Sequence, residues 1–259
     1  MNRIEQVFSK GKAFIPFITA GDPSLGITEE LVYRMAEAGA DLIELGIPFS
    51  DPVAEGPVIQ EADHRALKAG TTTDQIFAMV ARIRERCDIP LAFMTYANPI
   101  FTYGTNRFLM KCREVGIDAL IVPDVPYEER EELSPGCKSY GITLISMIAP
   151  TSRERIRMIT NAADGFLYCV SSLGVTGERK ELGTDAIDMI RLVKEIKDIP
   201  CAIGFGISTP EQAVRMAECS DGIIVGSAIV KIVGTYGADS IPYVEEYIRG
   251  MVAALNAMA

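Results

Sequence analysis

Eight short apolar runs separated by amphipathic stretches constrain this chain more than any other feature. They are FIPFIT (14–19), LIELG (42–46), PLAFMTY (90–96), ALIVP (119–123), TLISMIA (143–149), GFLYCV (165–170), PCAIGFG (200–206) and GIIVG (222–226). Near-continuous apolar runs suit strands buried on both faces, and the amphipathic stretches between them suit helices that cross from one parallel strand to the next. Eight such units predict an α/β fold closed as a (β/α)8 TIM barrel, and 259 residues match the roughly 250 that one such barrel uses. The expectation is a single domain over 1–259. An open doubly wound sheet uses the same alternation, but no GxGxxG follows the first run, and glycine-bearing turns after the last two runs favour closure.

The intervening segments EELVYRMAEAG, DQIFAMVARIRERC, TNRFLMKCREVG and DAIDMIRLVKEIK carry apolar residues three and four apart, with glycine at several ends. Four short junctions, AGAD, VGID, YGIT and CSDG, lead from helix to strand and define one end of the barrel. The longer loops gather at the other end, the C-terminal ends of the strands, where this fold carries its active sites.

A net charge of −10 repels nucleic acid and anionic lipid, so an anionic ligand has to be held by local dipoles. No apolar run reaches the ~18 residues of a membrane span, and the charged opening segment reads as cytoplasmic. The cysteines at 87, 112, 137, 169, 201 and 219 form no CxxC pair and His64 is the only histidine, so no metal site is expected. Cysteines such as Cys169 and Cys201 read as small core residues.

Two turns, GFGIS (204–208) and VGSAIVK (225–231), place backbone N–H groups at the starts of helices after the last two runs. Barrels often hold phosphate there, although either turn alone could simply be tight. The polar stretch SSLGVTGERKELGTD (171–185) is long for such a connection and reads either as a lid or as an ordinary surface loop. Glu44, set among apolar residues in LIELG, is either an acid–base group with a raised pKa or a buried structural glutamate. Asp51 and Glu55 stand in the next loop, PFSDPVAEGP, where acids are often merely solvated. His64, in EADHRALKAG, reads as a helix-surface residue.

LIELGIPFSDPVAEGP, with FITAGDP (17–23), VPDVPYEE (122–129), SSLGVTG (171–177), GFGIS and GSAIVK, resembles the tryptophan synthase alpha subunit, in family order from Phe17 to Lys231. The resemblance implies retro-aldol cleavage of indole-3-glycerol phosphate to indole and glyceraldehyde 3-phosphate. It assigns proton transfer to Glu44, stabilisation of charge on the indole nitrogen to Glu55, and positioning of Glu44 to Tyr168. It further implies phosphate contacts around Gly177, Gly206, Gly226 and Ser227, and an indole pocket from Phe17, Ile121, Ile148, Phe205 and Ile224. Asp51 and Asn98 would face a beta subunit in an alpha2-beta2 heterotetramer, where pyridoxal phosphate belongs to the beta subunit and the alpha subunit needs no cofactor. One departure stands out: the family motif reads ADGP, and this chain reads AEGP at 54–57. Two alternatives stay open, a stand-alone indole-glycerol phosphate lyase and, motivated by that longer side chain, a non-catalytic activator of a beta subunit.

Overall fold

The computed structural model describes residues 3–170, 184–204 and 206–258, with the side chains of 184 and 185 left out. Its strands are β1 (Ala13–Thr19), β2 (Ile43–Gly46), β3 (Leu91–Met94), β4 (Ala119–Ile121), β5 (Thr143–Leu144), β6 (Ser146–Ile148), β7 (Leu167–Val170), β8 (Cys201–Gly204) and β9 (Gly222–Val225). All pair in parallel, in the order β5-β4-β3-β2-β1-β9-β8-β7-β6. The two ends of that order are consecutive in the chain. Only Ile145 separates them, and its N–H donates to the Leu120 carbonyl at 2.9 Å. The expected fifth strand is therefore one extended segment that gives its first half to β4 and its second half to β7, which brings the sheet round on itself as the (β/α)8 barrel. The other apolar runs each contain or overlap one strand, with bounds that differ by one or two residues at an end.

Side chains alternate with the two-residue period of a strand. Ala13, Ile15 and Phe17 of β1, Ala92 and Met94 of β3, Ala119 and Ile121 of β4, Tyr168 of β7 and Ile224 of β9 form the interior cluster. Phe14, Ile18, Ile43, Leu45, Phe93, Leu120, Cys169, Ile203 and Val225 pack outward beneath the helices. Cys112, Cys137, Cys169 and Cys201 are buried and reduced, as expected of core thiols.

Local chemistry sets the helix ends. The helices Thr73–Arg84 and Pro210–Ala217 each begin with a capping box, Thr72 with Gln75 and Thr209 with Gln212, and the second has proline in its first turn. At three of the four short junctions an aspartate clamps the neighbouring strand. Asp41, Asp118 and Asp221 accept the N–H groups of Phe14, Leu91 and Cys201 at 2.8, 3.0 and 2.8 Å. Their own N–H groups return to the carbonyls of the same three residues at 3.0, 2.9 and 2.8 Å. Buried backbone groups at the start of a strand need partners, and this repeated pair supplies them at the end of the barrel away from the long loops.

Candidate active site

Glu44 is fully buried, on β2 in register with Phe17 of β1. Ile43 and Leu45 point outward, so the strand period turns Glu44 to the barrel interior. Among the described residues neither of its carboxylate oxygens has a hydrogen-bond partner. Burial alone pushes its pKa up to about 8, because a charge there would lose its hydration without gaining a donor. Glu44 is thus a neutral acid at neutral pH.

Two glycines make room for the large groups beside it. A Cβ on Gly46 would lie 2.6 Å from the ring of Phe17, and a Cβ on Gly204 would lie 2.6 Å from the ring of Tyr168. Tyr168 is buried, and its hydroxyl is held well above its usual pKa by burial first, then by the charges of Glu44 and Glu55. One aromatic side chain therefore senses both acids.

A cavity opens at the C-terminal ends of the strands. Phe17, Met94, Tyr168 and Ile224 wall it on the barrel side, Glu55 and Ile59 on the side of the loop after β2, and Gly206, Ser208, Gly226 and Ser227 at the far end. The helix Ser227–Tyr236 begins there, with Gly226 as its N-cap and no side-chain cap. Its first N–H groups thus lack intrahelical acceptors and offer a site for an anion. Gly206 has a φ of +79°, which any other residue would adopt only with strain. Among the described residues no cluster of His, Cys, Asp or Glu is arranged to hold a metal ion, and no helix is long and apolar enough to cross a membrane.

The residues singled out in the sequence fall into five groups. Phe17, Glu55, Tyr168, Gly206, Ile224, Gly226 and Ser227 line the cavity, while Glu44 and Ile121 belong to the interior behind it. Ile148 does not reach the interior: Ile145 and Met147 face inward on that segment, so strand parity sends Ile148 to the outer cluster. Asp51 and Asn98 are exposed, near the exposed Val53 and Phe101. Gly177, Phe205 and nearly all of the stretch 171–185 lie outside the described residues.

Two residues had escaped notice. Asp63, on the helix Pro57–Lys68, is buried, and its pKa is pushed up to about 8 by burial first and then by the charge of Glu55. Tyr96 accepts the Ala54 N–H at 3.0 Å and packs its ring 5.4 Å from that of Phe49. His64, the neighbour of Asp63, is exposed.

Fold and site together define a (β/α)8 barrel with a buried neutral acid, a second acid and a helix start without a side-chain cap around one cavity. A family model described as the tryptophan synthase alpha chain matches residues 5–255. The chain is 50% identical over 236 residues to the tryptophan synthase alpha chain of Thermoanaerobacter sp. (strain X514), covering 89% of this chain and 90% of that one. It is 44% identical over 257 residues to the alpha chain of Lacticaseibacillus casei, covering 99% and 97%. Among solved structures it resembles the alpha subunit from Legionella pneumophila str. Paris (TM-score 0.90, 37% identity, 99% of each chain). It also resembles a chain of the tryptophan synthase complex from Pyrococcus furiosus (TM-score 0.87, 35% identity, 94% of this chain and 99% of that one). This chain belongs to the tryptophan synthase alpha chain family, which makes it an enzyme of tryptophan synthesis.

Proposed function

We propose that this chain is a carbon–carbon lyase that cleaves indole-3-glycerol phosphate to indole and glyceraldehyde 3-phosphate. The observation that carries the reading is Glu44, a glutamic acid kept neutral by burial up to a pH of about 8, inside the barrel and beside the cavity. Its carboxylic acid gives a proton to carbon 3 of the indole ring, and the ring nitrogen becomes electron-poor. The bond from carbon 3 to the side chain then breaks and its electron pair restores the aromatic ring. As the adjacent hydroxyl becomes the aldehyde carbonyl, its proton passes to the Glu44 carboxylate, which regenerates the acid. Glu55, on the cavity wall, faces the nitrogen and offsets its developing positive charge. Tyr168 positions Glu44, Phe17 and Ile224 hold the ring, and the phosphate meets Gly206 and the N–H groups at Gly226 and Ser227.

Exposed Asp51 and Asn98, with apolar Val53 and Phe101 near them, form a rim suited to a tryptophan synthase beta subunit. In that assembly pyridoxal phosphate serves the beta subunit, and the alpha chain works with its own acids. The test is Glu44→Gln, which keeps the shape and removes the acid. Cleavage is expected to fall by at least about 100-fold while substrate still binds. Undiminished cleavage by this variant would contradict the assignment.

A further inference from the structure

The last helix, Ile241–Asn256, braces the far end of the cavity from outside. It packs against the helix Ser227–Tyr236, which starts on one wall, and against the helix Pro210–Ala217, which follows the loop forming the other. Val244, Ile248, Met251 and Leu255 make its buried stripe, at the three- and four-residue steps of one helix face. Tyr247 stands beside that stripe, half-buried, and its hydroxyl donates to the Ser208 carbonyl at 3.0 Å, a bond that joins groups 39 residues apart in the chain. Ser208 belongs to the loop after β8, where Gly206, Ile207 and Ser208 line the cavity.

That bond completes a three-point hold on the loop. The Ile207 side chain is buried in the outer cluster. The Ser208 N–H and hydroxyl both donate to the Gln212 side-chain oxygen, at 2.8 and 3.1 Å, beside the capping box that starts the helix Pro210–Ala217. Both backbone groups of Ser208 and its hydroxyl are therefore turned to the scaffold. At the other end of the loop Gly206 has its φ of +79°, and a glycine tolerates more than one backbone conformation, so the loop takes its position from the anchors that follow. We propose that Tyr247 is a positioning residue for the phosphate end of the cavity: its bond to the Ser208 carbonyl fixes the loop after β8, so that the loop backbone meets the phosphate of a substrate in one arrangement. This rests on the phosphate contact given to Gly206 above. A loop ordered in folding does not have to be ordered at binding, and the difference appears as affinity for the group it touches. The indole ring, held by Phe17 and Ile224 in the same reading, does not draw on that loop.

Titration calorimetry of the purified full chain with glycerol 3-phosphate and, separately, with indole reads the two ends of the cavity. Tyr247→Phe removes one hydroxyl and keeps the ring in its packing. The expected result is a dissociation constant for glycerol 3-phosphate raised by about 3- to 10-fold, the weight of one hydrogen bond, with the affinity for indole unchanged. Tyr243→Phe, one turn earlier on the same helix and exposed, is expected to leave both constants as they are. In steady-state cleavage of indole-3-glycerol phosphate, Tyr247→Phe is expected to raise KM by a similar factor and to keep kcat within about twofold. Equal affinity for glycerol 3-phosphate in Tyr247→Phe and in the unaltered chain would overturn the proposal. A parallel loss of indole affinity would overturn it too, because it marks a general loosening of the barrel, and so would failure of the unaltered chain to bind glycerol 3-phosphate. If Tyr247→Phe weakens glycerol 3-phosphate as expected while the unaltered chain cleaves no indole-3-glycerol phosphate, the positioning role stands and the lyase reading fails.

Discussion

Glu44 links stability to the proposed catalysis. Its pKa is raised in the fold, so the folded chain holds a proton that the unfolded chain releases near its ordinary value. The folded state consequently loses stability as the pH climbs from about 4.5 to about 8. Glu44→Gln is expected to flatten that slope and to stabilise the chain at pH 8 by on the order of a few kcal/mol, measured by urea unfolding across the same range. An unchanged slope would mean that the carboxyl is not held neutral. If Glu44 is the proposed proton donor, kcat/KM is expected to show a descending limb above about pH 8, where that proton is lost. A second prediction concerns the space beside Tyr168. Gly204→Ala puts a methyl group 2.6 Å from the ring, and cleavage is expected to drop by about 10- to 100-fold through displacement of Tyr168. Wild-type kinetics from this variant would show that the tyrosine does not position Glu44.

At the scale of elements, the two ends of the barrel do different work. The junction aspartates sit at the end opposite the cavity, and Asp118 also pairs with Arg84 at 2.9 Å. Asp118→Ala would strand the Leu91 N–H and remove a carboxylate partner of Arg84, whose guanidinium keeps its bonds to the Gly116, Cys87 and Ile89 carbonyls, and is expected to cost about 1–3 kcal/mol in urea unfolding with kcat unchanged. A fall in kcat without loss of stability would contradict this division. Much of the element scheme was legible in sequence. Apolar runs bounded by helical periodicity mark the strands, and the glycine turns after the last two runs mark one end of the cavity, because both signals are local. Ile148 was misplaced because its parity depends on how the segment around Ile145 divides between two neighbours. Asp63 and Tyr96 stayed hidden because a helix acid and a strand-end tyrosine acquire meaning only when the loop after β2 folds back on them.

For the whole molecule, the continuous barrel core leads us to propose that residues 1–259 unfold as one unit. A single transition with coincident fluorescence and circular-dichroism curves is expected, and two separated transitions would contradict it. With a net charge of −10, a phosphate ester bound as proposed above would depend on helix N–H groups rather than on a basic surface. The most direct test is steady-state cleavage of indole-3-glycerol phosphate by the purified chain, alone and with a tryptophan synthase beta subunit, beside Glu44→Gln and Glu55→Asp. Slow cleavage that rises with the beta subunit and disappears with Glu44→Gln is the expected result. No cleavage in either setting, or cleavage that survives Glu44→Gln, would contradict the assignment of this barrel as a lyase acting through Glu44.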